Sequence, residues 1–306
     1  MDNLPYDFVD KVFTMLDHDT IQKNIDQRFE SPLWNEVATV YKKKLHNFTL
    51  SMRPTRDGCK VFFTDGIGEH RPSFEEIQQM DDRFVRVTKL DILSQMVGIR
   101  ARVAAYPCTP FHRLPELLAF VARFRFKSIF VGSSLGDCDF ENQLHKVLQE
   151  VADHGLVSEG LEMVHSDQAI DFLKTQLRSE ALRKLTLRGF GSYEAKDNIL
   201  AFVCRPQFVS LDTNFECFHS NDLQQIVDYS NTLEKQWKKA TITQQPFFEN
   251  DVYEERESML AEFASWMVRI DDGTGDPLLE DYGAKSKVTV NMGYYTVTVC
   301  FTEILH

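Results

Sequence analysis

The stretch Gly132-Ser133-Ser134-Leu135-Gly136 places a serine in a Gly-x-Ser-x-Gly pattern between the β-prone "FKSIFVG" and the amphipathic "DFENQLHKVLQEV". In serine hydrolases that pattern is a sharp strand-to-helix turn exposing the nucleophile, here Ser134, and an acid and a histidine must follow later in the chain. Asp212 follows a strand-like segment, but His219 comes only seven residues later, leaving no room for a strand and helix between them. His306 ends the sequence, where chains are poorly ordered. No HGGG-like oxyanion segment precedes Ser134, and the same strand-to-helix junction recurs as "RGFGSYEAKD" and "NFECFHSND". Ser134 therefore reads as a turn residue in a repeated connection, and a serine hydrolase using Ser134 stands as the enzymatic alternative.

Other chemistry has less to build on. The nine histidines are scattered, with no His-Glu-x-x-His pair, and Asp17-His18-Asp19 reads as a solvated turn and helix cap. "GTGDP" at 273–277 lacks the Lys-Ser/Thr and the following helix of a phosphate loop. Cys59, Cys108, Cys138, Cys204, Cys217 and Cys300 form no C-x-x-C pair and have no zinc-site spacing, so they read as reduced thiols. No catalytic residue, cofactor or metal site is expected, and the chain reads as non-enzymatic.

The net charge of -12 argues against nucleic acid and against anionic membrane as partners. Lys42-Lys43-Lys44 sits at the end of an expected helix, where cations suit the dipole. The start has no basic, apolar leader, and the longest clean apolar run, Leu117 to Ala122, is far short of a membrane span. A cytoplasmic location, or a nuclear one, is expected, and the sequon Asn47-Phe48-Thr49 should be unglycosylated for lack of the compartment.

The elements that must position any site alternate between two periods. Residues 3–45 read as three short helices: the first carries Leu4, Phe8, Val9, Val12, Phe13 and Leu16 on one face, the second Ile21, Ile25 and Phe29, the third Leu33, Trp34, Val37, Tyr41 and Leu45. Pro5 and Pro32 fall in first turns, where a missing N–H costs little. "NFTLSM" and "CKVFFT" flank "RPTRDG" as a hairpin with a longer loop, and "PSFEEIQQM" reads as a short helix.

From residue 84 to about 218, β-prone segments alternate with amphipathic helices, and each strand repeats apolar-x-x-apolar-x-apolar. The slots are Val87/Leu90/Ile92, Phe126/Ile129/Val131, the degenerate Ser158/Leu161/Met163, Leu182/Leu185/Leu187 and Phe208/Leu211/Thr213. The last two intervals between repeats fall in the leucine-rich-repeat range, the earlier ones require insertions, and the turn asparagine or cysteine of the strict repeat is missing. The expectation is a degenerate strand–helix solenoid, with a parallel sheet covered on both faces as the other arrangement of the same alternation. After residue 232 come a strand in "LEKQWKKATITQQPFF", an acidic helix in "DVYEERESMLAEFASWM", a loop at "DDGTGDP" and a hairpin in "KSKVTVNMGYYTVTVCFTEI". The fold class is thus α/β (α+β), in four segments: 1–46 helical, 47–83 hairpin and helix, 84–232 repeats, 233–306 a C-terminal cap.

Apolar turns before any core exists either fold back onto the body or serve a partner. The run Leu4-Pro5, Phe8, Val9, Val12, Phe13 and Leu16, the break at "DHDT", then Ile21 and Trp34, resembles an F-box. "MDNLPYDFVDKVF", "SPLWNEVATVYKKKL", "DDRFVRVTKLDI" and "SEALRKLTLRGF" with "LQQIVDYSNTLEKQW" resemble a large, lineage-expanded group of nematode F-box-like proteins. That resemblance implies docking of those nine residues on a Skp-family adaptor that bridges to a cullin ubiquitin ligase, and capture of a target protein by the repeat body. A scaffold of the same fold without adaptor binding is the alternative. In the strands, Thr88, Lys89 and Asp91; Lys127, Ser128 and Phe130; Arg183, Lys184 and Thr186; and Val209, Ser210 and Asp212 are expected to point outward, with Phe130 as the candidate target-binding anchor.

Overall fold

The computed structural model describes residues 4–16, 20–21, 29–65, 71–93, 108–132, 138–164, 166–189, 195–214, 218, 220–232, 239–244, 261, 268–270, 278–282, 286–292 and 297–303. It mixes helices and strands, in two compact units, Met1–Phe126 and Lys127–His306. These are coarser than the four expected segments: 1–46, 47–83 and the start of 84–232 share the first unit.

The first unit opens with α1 (Tyr6–Met15) and α2 (Pro32–Lys44). Ser31 is extended at φ -84°, ψ 126°, as a residue before proline must be, and Pro32 occupies the first turn. The last turn of α2 holds Lys42, Lys43 and Lys44 over its partial negative charge. β1 (His46–Thr55) and β2 (Gly58–Asp65) then pair antiparallel. The expected longer loop is only Arg56-Asp57, because Thr55 already pairs with Gly58. Pro54 is tolerated inside β1 because it lies beyond Met52, the last residue that pairs with the strand on the other side. Gly58 has no substitute, since a Cβ there would collide with the Thr109 carbonyl.

α3 (Phe74–Gln79) begins with a capping box: the Glu76 N–H donates to Ser73 Oγ at 3.2 Å, and the Ser73 N–H donates to Glu76 Oε2 at 2.7 Å. β3 (Val85–Ile92) runs parallel to β1, while β4 (Cys108–Thr109) lies against β2 ahead of α4 (Leu114–Val121). The strand order is β3-β1-β2-β4. Opposite Phe48 and Thr49, β3 carries one extra residue, Thr88, between Val87 and Lys89. This bulge resets the alternation, so that Val87, Leu90 and Ile92 all face inward. It also corrects the outward assignment of Thr88, which is 7% exposed and donates to Asn47 Oδ1 at 2.7 Å.

In the second unit, β5 (Phe126–Val131, all but its first residue), β6 (Ser158–Val164), β7 (Lys184–Arg188), β8 (Ser210–Thr213) and β9 (Lys239–Gln244) lie side by side in chain order. β6 through β9 run parallel. Between them come α5 (Cys138–Asp153), α6 (Ile170–Arg178), α7 (Lys196–Val203) and α8 (Ser220–Thr232). Crossovers between parallel strands are right-handed, so strands that always step the same way keep their helices on one face. α6 accordingly packs against both α5 and α7. Burial along β7 and β8 alternates as it must when only one face is covered.

The covered face is a row of apolar side chains in register: Leu161, Leu185, Leu211 and Ile242, continued by Val299 and Val290. Each is at most 2% exposed. All the inward slots expected from the sequence are buried, including the polar ones, Ser158 and Thr213. Beyond β9 the sheet turns antiparallel, through β13 (Val297–Glu303), β12 (Ser286–Met292), β11 (Leu278–Tyr282) and β10 (Val268–Ile270). The expected hairpin is β12–β13, and β10 and β11 are additional strands. The expected acidic helix at 251–267 and the loop at 271–277 lie outside the described residues, apart from Ala261. Among the described residues no helix is long and apolar enough to cross a membrane.

Candidate functional site

α1 has an apolar arc wider than the described residues beside it cover. Its inner side, Val9 and Phe13, is completely buried with Ile21, Val37, Ala38, Tyr41 and Phe84. Phe13 anchors an aromatic cluster, with ring centroids 5.2 Å from Tyr41, 5.9 Å from Trp34 and 6.3 Å from Phe29. Tyr41 continues it to Phe84 at 5.0 Å. Such offset and edge-to-face contacts add to simple area burial.

Three polar contacts fasten the helix from outside its own sequence. The Tyr41 hydroxyl donates to the Asp10 carbonyl at 3.2 Å, Arg83 Nη1 pairs with Asp10 Oδ2 at 3.1 Å, and Arg86 Nη2 donates to the Thr14 carbonyl at 2.9 Å. Burial, then the neighbouring Asp10, hold the Tyr41 phenol well above its ordinary pKa, so it stays a donor. On the approach to α2, Asn35 does the work of a strand partner. Its Oδ1 accepts from the Phe29 N–H at 2.9 Å and its Nδ2 donates to the Phe29 carbonyl at 2.7 Å.

The outer side of α1 is left apolar. Phe8 is 50% exposed and Met15 74%, and with Pro5 and the half-buried Val12 they follow one another at positions 5, 8, 12 and 15. That is the i, i+3, i+7 spacing of anchors on a helix that enters a groove. Tyr6, 40% exposed, stands at the first turn. Among the described residues the exposed large hydrophobics are these three aromatic and thioether side chains of α1, and Val157 in the second unit. Single exposed apolar residues need no explanation, but several on one ten-residue helix do.

The nine residues singled out by the sequence therefore divide. Pro5 and Phe8 are exposed, Leu4, Val12, Leu16 and Trp34 are half-buried, and Val9, Phe13 and Ile21 are fully buried in the small core. Met15 and Tyr6 join the exposed set. Their signal was present in the same helical projection, as apolar residues beside the buried line.

Phe130 is half-buried on the side of β5 opposite Ile129 and Val131, which both face the core. On that side, going across the sheet, Glu162, Thr186, Asp212 and Thr243 stand in register, as do Lys184, Ser210 and Thr241. Arg188 Nη2 meets Asp212 Oδ2 at 2.7 Å. The carboxylate that a Ser134 hydrolase would borrow is thus engaged by arginine. Ser134 itself, His219, His306 and the Asp17-His18-Asp19 triplet lie outside the described residues. No group of three potential metal ligands occurs among the described residues. No family model, curated protein or solved structure matches the chain.

Proposed function

We propose that this chain is a non-enzymatic substrate-recognition subunit of a cullin ubiquitin ligase, acting in the cytoplasm or nucleus. In this reading α1 docks a Skp-family adaptor through Pro5, Phe8, Val12 and Met15. Leu4, Leu16 and Trp34 border the docking surface, and Val9, Phe13 and Ile21 hold it in shape. The sheet face of the second unit opposite its apolar row, in the manner of a leucine-rich repeat, holds the target protein, with Phe130 as an anchor.

The observation that carries the reading is the exposed stripe on α1, on a helix whose opposite side is buried and whose backbone is tied down at Asp10 and Thr14. A helix held this firmly loses little conformational freedom when it binds, which lowers the cost of association. The test is co-purification with a Skp-family adaptor, comparing the wild-type chain with Phe8→Ala/Met15→Ala. Loss of a binding hot spot costs about 2 kcal/mol or more, so the double variant should bind at least about 30-fold more weakly. Equal binding by the two proteins would reject α1 as the docking element. No adaptor binding by the wild-type chain would leave the scaffold reading of the same fold.

A further inference from the structure

No further inference is drawn: the strongest candidate, the cleft of about 170 Å3 between α5 and α6 with Asp153 and Asp171 on its rim and Leu148 and Phe172 in its lining, is an acidic pair on a helix–helix groove, and nothing in the structure points to what fills it.

Discussion

The guanidinium of Arg86, in the second position of β3, donates from Nη2 to the carbonyl of Thr14 at 2.9 Å, in the last turn of a helix 72 residues earlier. α1 has no basic residue in its own last turn, so a cation placed by β3 meets the negative end of its dipole. The same guanidinium holds the Val85 carbonyl at 2.7 Å and the Arg83 carbonyl at 3.1 Å. Arg86→Met keeps the aliphatic stem and strips all three carbonyls of their donor. Hydrogen bonds to charged groups contribute about 1.5–3 kcal/mol, so unfolding stability should fall by about 2 kcal/mol. The urea midpoint measures this, and α1 amides should exchange faster with solvent. An unchanged midpoint would reduce the contact to a surface detail.

The two sides of α1 should respond differently to truncation. Phe13→Ala empties the centre of the aromatic cluster and should destabilise by about 3–5 kcal/mol. Phe8→Ala removes a half-exposed ring and should cost under about 1 kcal/mol. Denaturant melts of the two variants decide this, and similar losses from both would mean that Phe8 is part of the core.

Thiol chemistry should separate two neighbouring cysteines. Cys108 is exposed, whereas Cys59 is fully buried and burial pushes its pKa well above the ordinary thiol value. An aromatic disulfide reagent at pH 8 should label Cys108 in the folded protein and reach Cys59 only after denaturation. The raised pKa also sets a direction with pH. Folded Cys59 keeps its proton where the unfolded thiol, with an ordinary value of 9.0, loses it, so its stability contribution is intact below about pH 9 and is lost as pH rises further. Cys59→Ala should flatten that alkaline slope, and an unaltered slope would assign it elsewhere.

Gln244 should prove intolerant of an isosteric charge. Its side chain, 2% exposed, accepts from the Phe218 N–H at 3.0 Å and donates to the Phe218 carbonyl at 2.7 Å. Gln244→Glu keeps the shape but sets a carboxylate against that carbonyl. Losing the donor and burying a charge should cost about 3 kcal/mol or more at neutral pH. Part of the loss should be recovered at pH 4–5, where the acid is protonated and can donate again. A variant as stable as the wild type at pH 7 would contradict the buried pairing.

Phe130→Ser tests the face of the second unit opposite its apolar row. Replacing a half-buried ring should cost about 1 kcal/mol, a shift of a few degrees in melting temperature, and should weaken target capture. A loss of about 3 kcal/mol or more would mean the ring is covered as a core residue is.

The sequence by itself determined most of the helices and strands up to β9 that the structure describes, the β12–β13 hairpin, and much of the core. Side-chain periodicity is local physics, so Leu185, Leu211 and their neighbours could be assigned inward from spacing alone, and all proved buried. The x-x gap between Val87 and Leu90 was legible as a pattern, but its cause, the extra residue Thr88 opposite the Phe48–Thr49 step, exists only once β3 lies beside β1. The candidate site was half legible. Periodicity marked α1 as apolar over a wide arc, yet it could not say which half meets α2 and which meets solvent. Tertiary packing made that division, because Tyr41 and Phe84 fill the space beside Phe13 and none of the described residues fills it beside Phe8 and Met15. The same holds for the clamp. An arginine in a strand segment signals only a charge, and it becomes the cap of α1 because the fold brings Arg86 to Thr14. A hydrogen bond between residues 72 apart has no periodic trace in the chain, and only the folded backbone decides it.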